Sequence, residues 1–295
     1  MKESINSFLD YILYEKKYSE HTETNYEIDL YKYKEYLDKH KLDYLNIKHK
    51  DISEFLISLK KAGYKSNSIN RMISSLRSFY LYLEKTKITS YNPFKLVNNL
   101  KTEKRLPNYF KYDEYNKMIS IIEDNPLGIR NRLILELFFS TGARISEITN
   151  ILLNCIDMQN KEIKIIGKGN KERIVYFSDN CKLALQNYLN NSRNILLGGS
   201  QSEYLLINNK GKNLTPRGIR MIIDNIVQKA AVTSKITPHV FRHTFATMML
   251  NEGCSIKTVQ ELLGHVNLST TGIYTHLTNE ELRKVYLKTH PRAKQ

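Results

Sequence analysis

The sequence predicts a mainly α-helical protein with a small β-hairpin, arranged in two domains. Apolar residues recur at helical spacing through the first hundred positions. The stretch "EIKIIGKGNKERIVYF" has two β-rich runs around a glycine-containing turn. Between these parts, "NNLKTEKRLPNYF" is polar, basic and closed by Pro107, as is typical of a linker. With 295 residues and 41% hydrophobic content, the chain can bury two cores.

The predicted domains run over 1–99, which is helical, and 109–277, with a linker at 100–108 and a C-terminal tail helix at 278–295. Three segments of the first domain have the apolar pattern of amphipathic helices. They are "INSFLDYILY" (Ile5, Phe8, Leu9, Ile12), "SEHTETNYEIDLYKYKEYL" (Tyr26, Leu30, Tyr33, Leu37) and "SINRMISSLRSFYLYLEK" (Ile69, Ile73, Leu76, Tyr80). Ser19 or Thr22 suits the cap of the second helix, and we expect a small helical bundle.

The second domain begins with a helix that should end at a glycine. In "IRNRLILELFFSTGARISEI" the apolar positions Leu133, Ile134, Leu137 and Phe138 face a core, and Gly142 breaks the pattern before a second short helix. The hairpin follows, with Lys168 exposed on its turn. Helices are predicted again from "TPRGIRMIIDNIVQKA" onward.

The segment "KITPHVFRHTFATMML" has the pattern of a helix start that can bind an anion. Thr237 suits the N-cap and Pro238 the first helical position, so His239 and Arg242 lie on one helix face. Free backbone N–H groups and a guanidinium there match a phosphate. The alternative is an ordinary capped helix with a surface histidine and arginine.

Histidine spacing allows a metal site as a second interpretation. His239 and His243 are four residues apart, and His265 could be a third ligand. A zinc hydrolase motif needs glutamate where this chain has Val240, so we predict no metal and no cofactor. His243 is then expected to be a hydrogen-bonded core residue.

The last part of the chain is predicted to bring a tyrosine close to a histidine. The helix "SIKTVQELLGH" has Ser255 as its cap and stops at Gly264, just before His265. Ser269 can cap a following helix with Tyr274 in its second turn. In the tail, "LTNEELRKVYLKTH" has Thr278 and Glu281 at capping-box spacing, and its apolar face needs a groove. Docking on a neighbouring subunit and docking within the same domain are both open.

The charge indicates a polyanionic partner. The net charge is +15, and the segments from Glu54 to Glu84 and from Tyr204 to Asn251 hold most of the unbalanced basic residues. Two separated basic segments fit a protein that holds a DNA duplex from two sides. The three cysteines lack CxxC pairing, and neither a signal sequence nor a long apolar run is present, so we expect a reduced, cytoplasmic protein.

Five motifs together identify a family. "TGARISEI", "GKGNKER", "HVFRHTFAT", "LLGH" and "STTGIYTHL" occur in this order and resemble the catalytic domain of tyrosine recombinases of the phage integrase family, most closely the Xer-type site-specific recombinases. "SINRMISSLRSFYLYL" resembles the family's N-terminal core-binding domain, which is SAM-like. The resemblance implies a C-shaped clamp on DNA, cleavage through a 3′-phosphotyrosyl intermediate, and strand exchange through a Holliday junction.

Carried over residue by residue, the resemblance implies six catalytic positions. Tyr274 would attack a phosphate that is surrounded by Arg144, Lys168, His239, Arg242 and His265. Glu147, three residues after Arg144, matches a supporting acidic position and would orient that arginine. From the two basic segments and the motif "GKGNKER", we predict DNA contacts by Lys65, Arg71, Arg77, Lys171, Arg173, Arg217 and Arg220.

The resemblance also implies partners. They are a double-stranded recombination site, a homo- or hetero-tetramer with a second recombinase on DNA, and a DNA translocase or accessory protein, with no role for a membrane. The biological use would be resolution of chromosome or plasmid dimers, or integration and excision of a mobile element. Two other interpretations are a type IB topoisomerase, which relaxes supercoils with similar residues, and a catalytically silent DNA-binding protein.

Overall fold

The computed structural model describes residues 1–102, 109–167, 172–264 and 278–293 of the chain. The chain divides into two units, Met1–Lys104 and Arg105–Gln295, each with its own hydrophobic core. Most of the predicted linker at 100–108, including Pro107, lies outside the described residues.

The N-terminal unit is a helical bundle, as predicted. Its helices are α1 (Lys2–Asp10), which continues into a π-helical turn at Tyr11–Glu15, α2 (Glu20–His40), α3 (His49–Lys61) and α4 (Ser66–Lys85). Ser19 caps α2, because its hydroxyl accepts from the backbone N–H of Thr22. The predicted core positions of α1, α2 and α4 are buried, apart from the half-buried Tyr26. The sequence patterns had not singled out α3.

The C-terminal unit consists of helices around a small β-sheet. Its helices are α5 (Tyr112–Ser120), α6 (Pro126–Thr141), α7 (Ile145–Thr149), α8 (Asp179–Asn191), α9 (Arg193–Leu197), α10 (Pro216–Lys229), α11 (Pro238–Asn251), α12 (Ile256–Leu263) and α13 (Asn279–Thr289). The strands β1 (Ile156–Asp157), β2 (Glu162–Ile166) and β3 (Glu172–Tyr176) form an antiparallel sheet in the order β1-β2-β3.

The predicted hairpin is confirmed by the pairing of β2 with β3. The register runs from Glu162 opposite Tyr176 to Ile166 opposite Glu172. Ile163, Ile165 and Val175 are buried, so one face of the sheet packs on the core. The turn residues 168–171, which include Lys168, lie outside the described residues.

Side-chain caps fix the starts of the helices that position the site. Thr237 and Ser255 each accept a backbone N–H at a helix start, as predicted, and Asn125, Ser178 and Thr215 do the same at three further helices. At the other end, α6 and α12 stop at Gly142 and Gly264, whose φ values of +58° and +65° are left-handed.

The tail helix α13 packs on its own unit. Thr278 and Glu281 form the predicted capping box, and Tyr286 is buried with its hydroxyl 3.0 Å from the hydroxyl of Ser140 on α6. Beyond the helix, Arg292 donates two hydrogen bonds to Glu136 at 2.8 and 2.9 Å. Docking within the same domain was one of the two arrangements left open, and docking on a neighbouring subunit stays a prediction.

Within the described ranges, no helix combines the length and the apolar character that crossing a membrane requires.

Candidate active site

Arg144 is fixed at the junction between α6 and α7. Gly142 turns the chain there, and a Cβ at this position would lie 2.7 Å from the ring of Phe245, so only glycine fits. Arg144 is the residue before α7, and its backbone N–H donates to Glu147 at 2.6 Å. Its side chain donates to Glu147 Oε1 at 2.8 Å and to the carbonyl of Gly264 at 3.3 Å.

The buried carboxylate of Glu147 joins two arginines. Besides Arg144, it accepts from both terminal nitrogens of Arg173, at 2.6 and 2.9 Å. The Glu147 side chain is only 2% exposed. Burial by itself would raise its pKa, but the hydrogen bonds and charge of Arg173, aided by Arg144, outweigh burial and hold the pKa below its usual value. Glu147 is therefore an anion at neutral pH.

Arg242 lies on α11, and its guanidinium is held by two backbone carbonyls. It donates to Gly142 at 2.9 Å and to Leu263 at 2.6 Å. Burial, together with the nearby charges of Arg144 and Arg173, lowers the pKa of Arg242 to about 10. The guanidinium remains cationic at pH 7.

Arg144 and Arg242 thus converge on the C-terminal end of α12. They donate to the consecutive carbonyls of Gly264 and Leu263, the two residues that precede His265. The clustering of these cations around a helix end is favoured by the partial negative charge of the helix C-terminus. The arrangement concentrates positive charge at this end of α12, and Arg144 and Arg242 together are called the arginine cluster.

His239 is one turn before Arg242 in the first turn of α11, where Thr237 caps the helix. Its side chain is exposed, so an incoming substrate can reach the imidazole. The structure therefore brings together Arg144, Glu147, Arg242 and the helix start that carries His239. Lys168, Lys171, His265 and Tyr274, together with Ser269, the predicted cap, lie outside the described residues.

The residues predicted to contact DNA fall into two groups. Lys65, Arg217 and Arg220 are exposed, the last two in the first turns of α10. Arg71 is also exposed but pairs with Asp29 at 2.9 Å, whereas Arg77 is half-buried and donates to the carbonyls of Phe94 and Val97 at 3.1 and 2.7 Å.

Arg173 differs most from the expectation of a DNA-contacting side chain. Its side chain is 15% exposed and both terminal nitrogens are engaged by Glu147. No local sequence signal indicated this pairing, because Arg173 and Glu147 are 26 positions apart and meet only in the folded chain.

His243 on α11 is half-buried. Among the described residues, no group of three or more histidine, cysteine, aspartate or glutamate side chains is arranged to hold a metal ion.

Comparison with known proteins covers both units. Residues 108–281 match the profile of the phage integrase family, and residues 5–87 match the phage integrase N-terminal SAM-like domain. Tyrosine recombinase XerC of Staphylococcus saprophyticus is 43% identical over 296 residues, covering 100% of this chain and 99% of that protein. Tyrosine recombinase XerC of Anoxybacillus flavithermus is 42% identical over 294 residues, covering 98% of each.

Among solved structures, the XerH site-specific recombinase bound to its difH substrate, a pre-cleavage complex, is 26% identical with a TM-score of 0.67. The match covers 89% of this chain and 78% of that one. The similarity therefore extends through the helical bundle and through the unit that contains Arg144 and Arg242.

Proposed function

The chain belongs to the phage integrase family and is a Xer-type tyrosine recombinase, an enzyme that cleaves and rejoins DNA at specific sites, and on this premise we propose that Tyr274 is its nucleophile. The observation that carries the proposal is the convergence of Arg144 and Arg242 on the end of α12, immediately before His265. Two permanent cations at this place suit a phosphodiester better than any neutral substrate.

The reaction exchanges one phosphodiester for another. The Tyr274 oxygen bonds to the phosphorus, the bond from phosphorus to the 5′ oxygen breaks, and a 3′-phosphotyrosyl link with a free 5′ hydroxyl results. A free phenol has a pKa of about 10, so its proton must be removed, and the exposed His239 accepts it. Lys168 protonates the departing 5′ oxygen, which is a poor leaving group as an anion.

The arginines stabilise the transition state. As the phosphorus becomes pentacoordinate, negative charge grows on the nonbridging oxygens. Arg144 and Arg242 meet this charge with hydrogen bonds whose donors are already in place, and His265 donates one more. Attack by the 5′ hydroxyl of another strand reverses the chemistry, so the bond energy is conserved and neither ATP nor a metal is part of the proposed cycle.

Assembly follows from the need to exchange strands between two duplexes. We propose that four subunits, identical or shared with a second recombinase, clamp two sites and pass through a Holliday junction. A DNA translocase or accessory protein would control the reaction. Dimer resolution and mobile-element integration or excision both use this chemistry and both remain proposed uses.

The first prediction tests the nucleophile. The substrate is a nicked duplex that carries the recombination site, mapped beforehand by footprinting. It traps the covalent adduct because the short fragment with the free 5′ hydroxyl diffuses away and cannot reverse the reaction. Wild-type protein is expected to form an adduct that resists sodium dodecyl sulfate, whereas Tyr274→Phe binds the duplex and forms none. Tyr112→Phe, at an exposed tyrosine on α5, is the matched control and keeps the adduct. An adduct that persists in Tyr274→Phe contradicts the assignment.

The same material separates the alternatives. A type IB topoisomerase would relax a supercoiled plasmid without joining two sites, and a silent DNA-binding protein would form no adduct at all. Joined products from two differently labelled sites are expected for a recombinase.

A further inference from the structure

We propose that Arg173 is a positioning residue for strand cleavage, which holds Arg144 through the carboxylate of Glu147. The inference rests on the proposed function of Arg144 and Arg242 in cleavage. It assigns Arg173 the role of holding Arg144 in place, instead of the DNA contact that the sequence predicted.

The hydrogen-bond pattern of Glu147 is the first reason. Oε1 accepts from Arg144 Nη1 and Arg173 Nη1, and Oε2 accepts from the backbone N–H of Arg144 and from Arg173 Nη2. Four donors therefore fix both the position and the plane of one carboxylate. Without Arg173, only two of these donors remain and the carboxylate can turn about its side-chain bonds, which would release Arg144.

The burial of the pair is the second reason. Glu147 is 2% exposed and Arg173 15%, whereas Arg144 is 33% exposed. Glu147 is buried and Arg173 is less exposed than Arg144, so Arg144 is the member of the three that a phosphate reaches most easily. A bidentate arginine and carboxylate pair of this kind constrains geometry more than an exposed ion pair does.

The position of Arg173 in the fold is the third reason. It lies on β3 opposite Ile165 of β2, in the hairpin whose turn carries Lys168. Its side chain also lies against Gly264, where an added Cβ would be 2.9 Å from Arg173 Cδ. The side chain thus connects its own strand β3 with Glu147 on α7 and lies beside Gly264, so it can keep these three parts of the site in register.

The charges of the side chains at the site matter as well as their geometry. Arg144, Arg173 and Arg242 carry three positive charges and Glu147 one negative charge, which leaves a net charge of +2 on the four side chains. A phosphodiester carries one negative charge, and more negative charge gathers on its oxygens in the transition state. A lysine at 173 would keep the charge but lose the planar fork that binds both oxygens of Glu147.

The test compares single-turnover cleavage of the nicked site with binding of the same duplex. Arg173→Gln is expected to slow adduct formation about 10- to 100-fold, with the dissociation constant changed less than about threefold. Arg173→Lys should recover part of the rate. In a Glu147→Gln background, Arg173→Gln should slow cleavage less than about threefold further, because the carboxylate through which it acts is already neutral.

The control is Lys164→Gln, which removes an exposed cation from the same sheet. The Lys164 ammonium pairs with Glu172 at 2.6 Å. Its cleavage rate should stay within about twofold of wild type. Thermal unfolding identifies any variant that fails to fold, and if Arg173→Gln fails, the rate and binding of Arg173→Lys decide the question.

Three results would overturn the inference. They are a wild-type cleavage rate in Arg173→Gln, a loss of DNA binding that accounts for the whole effect, and full additivity with Glu147→Gln. Failure of wild-type protein to form an adduct would instead refute the proposed function and is recognised separately.

Discussion

The positions of the charged groups at the site are fixed by hydrogen bonds of individual side chains. Arg144 and Arg242 donate to the terminal carbonyls of α12, and Glu147 accepts hydrogen bonds from Arg144 and Arg173. The identity of these residues could be predicted from the motifs, because the residue types and their order define the family. The partner of Glu147 could not, since Arg173 is 26 positions away and the pair forms only when β3 packs beside α7.

His290 provides a prediction about pH. It is fully buried against Phe139 and Tyr286, and burial lowers its pKa to about 4. Since the unfolded imidazole has a pKa of about 6.5, stability is complete above that value and is lost as the pH falls from 6.5 towards 4. Between pH 7 and pH 5 the loss from this group is on the order of 2 kcal/mol.

The measurement is urea unfolding at pH 7 and pH 5 for wild type and His290→Gln. The variant should show the smaller difference between the two pH values, because it lacks the titrating group. His40→Gln, at an exposed histidine of the N-terminal unit, is the control. Its unfolding free energy should change between pH 7 and pH 5 by as much as that of wild type. Equal pH dependence in wild type and His290→Gln would contradict the prediction.

Secondary-structure elements were predicted well where local signals determine them. The caps of α2, α11, α12 and α13 and the left-handed glycines that end α6 and α12 are formed by residues close in sequence, so the chain itself specifies them. The hairpin was found for the same reason. The helix α3 was not singled out, although Ile52, Phe55 and Leu59 are buried on one face.

Two helix ends allow a matched test of the site. Gly264 and Gly253 follow α12 and α11 with φ values of +65° and +87°, so alanine costs about 1 kcal/mol of backbone strain at either. A Cβ at Gly264 would meet Arg173, whereas at Gly253 nothing lies within 4 Å. Gly264→Ala is therefore expected to slow adduct formation at least about tenfold, and Gly253→Ala only to lower stability.

Single-turnover cleavage at a temperature where both variants are folded checks this expectation. Equal cleavage by the two variants would mean that the space beside Arg173 does not matter to the reaction.

The chain as a whole combines two compact units with a net charge of +15. The predicted fold class, a helical SAM-like domain followed by a mainly α catalytic domain with a small sheet, is confirmed. The two mainly helical units and the hairpin could be predicted from local apolar patterns and turn signals, whereas the SAM-like and catalytic character of the units came from the resemblance of their motifs to the family. The proposed clamp around DNA depends on how the units and further subunits are arranged, which no local pattern encodes.

The net charge of +15 predicts binding that weakens with salt. Arg217 and Arg220 are exposed at the start of α10. Changing both to glutamine should weaken binding to the site and to unrelated DNA alike, and should reduce the slope of log K against log salt by about one for each phosphate that is no longer neutralised. Lys229→Gln, at the far end of the same helix, is the control. An unchanged slope in the double variant would exclude both residues as phosphate ligands.

The charge kept at Arg242 has an evolutionary consequence. Its guanidinium donates to backbone carbonyls, while burial and the charges of Arg144 and Arg173 disfavour its cationic form. Keeping this charge costs free energy in the free protein, so selection for stability opposes selection for function at this position. In lineages that no longer need the reaction, Arg242 should be replaced before Arg144 and Arg173, because those two also neutralise the buried Glu147.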